Sequence, residues 1–229
     1  MKRILTLLLA SFLTATTFAA DFNFGLTFSP NFNWFRVDEV TSENDGLRMG
    51  MSYGLLIDYN LGDNFAISSG FLHNLNGGKV AYTRHMEGDT SLPSFAVKDL
   101  YKVQHIELPI SLKLKTNQIG YITYYGQFGV MSAFRVRARA DRVSENTNFA
   151  ENFENKDVRS PDDDVLIKGI NFFNLSLHVG AGINYSLSGS TSLLAGIYYN
   201  NGFVNFVREK DSEENITQNR IGVRLGIMF

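Results

Sequence analysis

From Phe22 onward, apolar and polar residues alternate with a period of two. Phe22, Phe24, Leu26, Phe28, Phe32 and Trp34 share one parity, and Asn23, Gly25, Thr27, Ser29, Asn31 and Asn33 occupy the other. A helix would need apolar residues three and four apart, so this pattern predicts a strand. Pro30 lies within it and is expected to break a ladder bond. The design recurs from Met49 to Leu61, Phe65 to about Leu75, about Tyr101 to Leu114, Gly120 to about Phe134, about Ile170 to Leu187, Thr191 to about Phe206, and Asn219 to Phe229. The seventh of these has apolar residues on both faces. Gly77-Gly78 is expected to bend the third, with Val80 to Tyr82 as its continuation.

The connections alternate as well. Turns of about four residues follow Leu61, Lys115 and Leu187, whereas 37–48, 76–100, 135–168 and 205–218 read as long loops. Fourteen of the chain's 44 charged residues (21 Lys and Arg, 23 Asp and Glu) fall between Arg135 and Asp164. Short turns at one rim and long, charged loops at the other predict an all-β fold, an eight-stranded antiparallel transmembrane β-barrel with periplasmic turns and extracellular loops.

A soluble barrel would also alternate, with its apolar side inward. Here the polar parity is mostly Gly, Ser, Asn and Thr, which suit a crowded bore better than a water-washed exterior. Aromatic residues gather near the strand ends, at Phe22, Phe24, Phe32, Trp34, Tyr121, Tyr124, Tyr199, Phe203 and Phe206, as interfacial girdles do. The last strand ends on Phe229, like the signal that outer-membrane proteins present to the barrel assembly machinery. The apolar stripe is therefore expected to face lipid, in the cell outer membrane. A mean hydropathy of −0.09 does not oppose this, because only every second residue of such a strand meets lipid.

The first residues read as a targeting segment. Lys2 and Arg3 precede an apolar stretch diluted by threonines, and Thr17-Phe18-Ala19 suits cleavage after Ala19. This predicts a signal peptide over 1–19 and a barrel domain over 20–229. Net charge is −2. Removing Lys2 and Arg3 leaves 19 basic against 23 acidic residues, or −4, which argues against a nucleic-acid partner. The chain has no cysteine, so no thiolate metal site, disulfide or cysteine nucleophile is available.

Four segments carry a family resemblance: Gly25-Leu26 through Ser29-Pro30-Asn31, Gly54-Leu55-Leu56-Ile57-Asp58-Tyr59, Ile106-Glu107-Leu108-Pro109-Ile110-Ser111-Leu112-Lys113, and Tyr125-Gly126-Gln127-Phe128-Gly129. Together they resemble the PorT-like outer-membrane β-barrel family of the Bacteroidetes group. The resemblance implies the same fold and location over nearly all of the mature chain. It attaches no catalytic residues, and some relatives take part in a protein secretion system.

Little in the sequence points to catalysis. No HExxH, P-loop or GxSxG motif occurs, and Gly180-Ala181-Gly182 lies inside a strand without the third glycine of a dinucleotide site. Of four histidines, His105 and His178 fall on the polar parity. His85 has Glu87 and Asp89 nearby and is the residue on which a rim enzyme would have to be built. Asp162-Asp163-Asp164 lacks the spacing of a calcium loop and reads as a solvated face. More informative is the charge on the bore parity: Asp58, Glu107, Lys113, Arg220 and Arg224. Buried charge must be paired, so an interior network is expected, with Asp58 and Glu107 offered to Arg220 and Arg224. The expected function is non-enzymatic and cofactor-free: a structural or interaction role in outer-membrane lipid, with an envelope or extracellular protein partner at 135–168. A small-solute channel, an accessory of a secretion system and a rim enzyme are the alternatives.

Overall fold

The computed structural model describes residues 22–37, 42–44, 46–85, 94–145, 153–155, 170–206 and 216–229, with the side chains of 37, 42–44, 80–99, 139–145 and 153–155 set aside. Among the described residues ten strands run in chain order: β1 (Phe22–Val37), β2 (Ser42–Asn44), β3 (Arg48–Asn60), β4 (Phe65–His85), β5 (Ser94–Lys115), β6 (Ile122–Glu145), β7 (Phe153–Asn155), β8 (Phe173–Ser188), β9 (Thr191–Gly202) and β10 (Ile216–Met228). Eight of them close a ring. Each of β1, β3, β4, β5, β6, β8, β9 and β10 pairs antiparallel with the next, and β10 returns to β1. The short strands β2 and β7 extend the pairing of β4 and β6 at the far rim.

The alternation places side chains as a lipid-embedded barrel requires. Phe24, Leu26, Phe28, Leu55, Phe71, Ile110, Phe128, Ile197, Val223 and Leu225 project outward and are exposed, while Thr27, Ser29, Asn31, Ser52, Ser111 and Gln127 are buried on the opposite parity. A water-soluble protein would bury the first set. Glycines supply the left-handed conformation in two of the short turns, with φ of 64° at Gly120 and 58° at Gly189. Pro30 has no N–H to donate. The β1–β10 ladder accordingly steps from Phe28↔Leu225 to Asn31↔Gly222, while pairing with β3 continues through it.

All four segments read as loops are in part strand: β2 lies within 37–48, β10 begins at Ile216, and the other two hold the longest extensions. β4 continues through Gly77-Gly78 to His85, β5 begins at Ser94, and β6 runs on to Glu145. A strand that leaves the membrane faces water on its outer side, so alternation fades and charge density rises, and the sequence looks like a loop. A bulge between β5 and β6 adds to this. Gln104 pairs with Arg137 and His105 with Arg135, leaving Val136 as the extra residue. Beyond it the parity of β6 inverts.

Inside, two apolar layers are separated by polar ones. Phe35, Tyr101, Val103, Ile170, Phe206 and Ile216 form a plug at the long-loop end. Phe35 packs on Phe206 with ring centroids 4.7 Å apart. Phe206 is therefore part of the interior and not of an aromatic girdle, because the chain after β9 folds back over the mouth of the bore, where Phe206 N–H bonds the Ile216 carbonyl. The second layer, Leu56, Leu72, Tyr125, Met131, Leu194 and Met228, lies towards the short turns.

Candidate functional site

The bore is where the chain concentrates buried polar chemistry. Glu107 on β5 and Arg220 on β10 face each other across it, where Arg220 Nη1 donates to Oε1 at 2.8 Å and Nη2 to Oε2 at 3.0 Å. Both ends of the pair are buried. This two-toothed geometry is the strongest form of carboxylate recognition. Asn74 on β4 also donates to Glu107 Oε1, at 2.7 Å. With its amide nitrogen turned to His178, Asn200 on β9 presents its oxygen to Arg220 Nε at 3.2 Å. His178 on β8 in turn meets Gln127 on β6 at 2.7 Å. One polar chain thus ties six of the eight wall strands together through the lumen.

A second ion pair lies nearer the short turns. Lys113 Nζ donates to Asp58 Oδ2 at 2.6 Å, and Ser68 Oγ donates to Asp58 Oδ1 at 2.6 Å. The lysine also stands 4.6 Å from the centroid of Tyr125. This corrects the expected pairing of Asp58 with an arginine. Asp58 pairs with Ser68, which pairs with Ser111, so β3 and β5 point their charges at each other across β4. Lys113 is within reach, and Arg224 is not. Arg224 instead lies over Tyr198, with its guanidinium carbon 5.0 Å from the ring centroid. No carboxylate among the described residues pairs with it, and its Nε is buried without a partner.

His105 takes its place in a third polar layer, beneath the plug. Its Nδ1 meets Asn76 Oδ1 at 3.1 Å, and Asn76 Nδ2 donates to Gln218 at 3.3 Å. Among these layers the central void, lined by Asn33, His105, Glu107, Asn200 and Arg220, measures about 20 Å³. That is room for about one water molecule. At the short-turn end the bore widens into a polar cavity of about 400 Å³, lined by Asn23, Asp58, Asp63, Lys115 and Asn184, among others. The Asp58–Lys113 pair and Met228 close its inner end.

Of the five charges singled out in the sequence, four are brought into two ion pairs and the fifth stacks on an aromatic ring. The neutral partners Asn74, Gln127 and Asn200 were missed, since an amide on the bore parity looks like any other small polar filler. Phe229 is at the short-turn rim, its N–H and carbonyl bonded to Phe24. His85 ends β4 with its side chain outside the described residues, as are Glu87, Asp89 and Asp162-Asp163-Asp164. Residues 1–21 are also outside them, and with them the expected signal peptide.

A family model described as "Outer membrane protein beta-barrel domain" matches residues 14–208. No curated protein matches. Solved structures with a similar course include Neisserial surface protein A (10% identity, TM-score 0.47, covering 91% of this chain and 96% of that one). The attachment invasion locus protein Ail of Yersinia pestis, in complex with a heparin analogue, is 12% identical, with TM-score 0.39 and coverages of 91% and 99%. OprG of Pseudomonas aeruginosa is 11% identical, with TM-score 0.38 and coverages of 90% and 96%.

Proposed function

Since the chain belongs to the outer membrane protein beta-barrel domain family and resides in outer-membrane lipid, we propose that it is a non-conducting, non-enzymatic barrel. Its task, in this reading, is contact with a protein partner at the cell surface. The observation that carries this is the closed bore. Among the described residues, two buried ion pairs, an aromatic plug and a central void of about 20 Å³ leave no aqueous path, as expected when eight strands enclose side chains. Meanwhile β4, β5 and β6 run on past Asn76, Lys102 and Arg135, so the wall itself becomes a sheet above the membrane. The segment 135–168, which begins on that sheet, is the proposed partner-binding element.

Two experiments test this. In planar bilayers the purified protein is expected to give no steady conductance steps, and reproducible steps would favour a small-solute channel. Surface-exposed partners should co-purify with the intact chain from its native envelope and be lost when 146–168 is replaced by a short linker.

Membership of the PorT-like branch, and with it an accessory role in protein secretion, is a finer proposal supported by the motifs around Ile106–Lys113 and Tyr125–Gly129. Deleting the gene and comparing secreted proteomes tests it. Cleavage of a signal peptide after Ala19 and recognition of Phe229 by the barrel assembly machinery are proposed on sequence grounds. N-terminal sequencing checks the first, and the assembly yield of Phe229→Ala checks the second.

A further inference from the structure

Lys113 and Arg220 each meet a carboxylate in the bore, and Arg224 meets none among the described residues. Asp58 is already held by Lys113 and Ser68, and Glu107 by Arg220 and Asn74, so neither is free to turn to it. Arg224 is 4% exposed, and its Nε is buried with no hydrogen-bond partner. A guanidinium keeps its proton inside a protein, so this charge cannot escape burial by becoming neutral, as a buried histidine can. A lone buried charge is among the costliest features a fold can contain.

The surroundings of Arg224 are built from donors and from glycine. On β10 it lies between Gly222 and Gly226 on the bore parity, and its partner on β9 is Gly196. Its guanidinium carbon stands 5.0 Å from the centroid of the Tyr198 ring, and that of Arg220 stands 5.6 Å from the same ring. The Tyr198 hydroxyl is buried and makes no hydrogen bond among the described residues. It lies so close over Gly222 that a Cβ there would collide with it. On β1, Ser29 falls between Thr27, opposite Gly226, and Asn31, opposite Gly222, which puts it level with Arg224. Ser52 is its neighbour on β3, and both serines are buried. Towards the short turns, Leu194, Leu56 and Met228 belong to one apolar layer that closes the bore below this level.

We infer that the bore binds one small monovalent anion, of the halide kind, on the Arg224 guanidinium, with the Tyr198 hydroxyl as a second donor. The charge selects the ligand first: one cation is unanswered, so one negative charge completes the interior. The donors select it next. A guanidinium N–H and a phenol O–H both offer hydrogens, which an anion accepts and a metal cation does not. Water could satisfy these donors but would leave the charge uncompensated. The apolar layer below them bars a bulkier organic acid. The ion is a fixed part of the packing and is not conducted, and the site does not depend on any surface partner.

Two measurements on the full barrel test this. Crystals of the wild type grown in bromide are expected to show an anomalous-scattering peak beside the Arg224 guanidinium. In detergent, urea unfolding is followed at fixed ionic strength while bromide replaces gluconate, an anion too large for the site. Above the dissociation constant, a tenfold rise in bromide is expected to lower the unfolded-to-folded ratio of the wild type about tenfold, since only the folded barrel holds the ion. Arg224→Met should lack this response, and comparing the proteins in the same salts removes the general effect of each salt on protein and detergent. Tyr198→Phe, which keeps the ring and loses the donor, should weaken bromide binding about tenfold. No peak at Arg224, or a bromide response in either variant equal to that of the wild type, overturns the inference. So does a phenolate absorbance at neutral pH that Tyr198→Phe abolishes, because the counter-charge would then be Tyr198 itself. The crystal measurement needs no substitution, so a variant that fails to fold leaves the test intact.

Discussion

Single residues inside this barrel matter according to what they leave behind. Removing Arg220 strands Glu107, a carboxylate 2% exposed, with only Asn74 as a described hydrogen-bond partner. Breaking one side of a buried pair typically costs about 3–5 kcal/mol. Arg220→Ala is expected to lose stability on that scale in urea unfolding from detergent. Arg220→Met combined with Glu107→Gln should lose markedly less, because no charge is then orphaned. Arg224→Ala removes a cation–π contact and no ion pair, so its cost is expected to be smaller, about 0.5–2 kcal/mol. A loss for Arg224→Ala equal to that for Arg220→Ala would contradict this ordering. The parity of these charges was legible in the sequence, but their pairing was not. Parity says which way a side chain points, whereas partner choice depends on height along the bore and on which strands stand opposite.

At the scale of strands, packing between facing glycines positions the lower pair. A Cβ on Gly182 or Gly196 would meet the Tyr125 hydroxyl, and Tyr125 in turn lies beneath Lys113. Gly182→Val is expected to cost about 1–3 kcal/mol by overpacking. Gly126→Ala, where nothing lies within 4 Å of the added carbon, should be close to neutral. Melting of the two variants in the same detergent separates these outcomes. On the outer face the rule inverts, and an arginine placed at Ile197 on β9, 63% exposed, is expected to cost about 2–4 kcal/mol for folding into vesicles if it lies near the bilayer midplane. The hydrophobic pattern predicted the eight wall strands where they cross lipid, because there one face must be oily. It lost β4, β5 and β6 above that layer, where charge density rises, as at Arg135, Arg137, Arg139 and Asp141. It could not foresee the bulge at Val136, since Val136, Ala138 and Ala140 carry on the apolar parity of Phe134 as if the strand were unbroken.

For the molecule as a whole, the ring decides how it must come into being. Seven of its eight ladders join strands that follow one another around the wall, but the eighth, between β1 and β10, joins residues about two hundred positions apart, such as Gly25 and Met228. Every intermediate that lacks this ladder presents two raw edges of unpaired amides to a solvent that cannot bond them. Local hairpins can zip early, while the closing contact waits on the slowest and most distant encounter of the chain. A polypeptide halted before Ile216 has no final stave with which to close, and it is expected to remain protease-sensitive and heat-unmodified however complete its other strands are. The seam is therefore the step at which outside help would gain most, and where an intruding strand from another chain could take the place of β10.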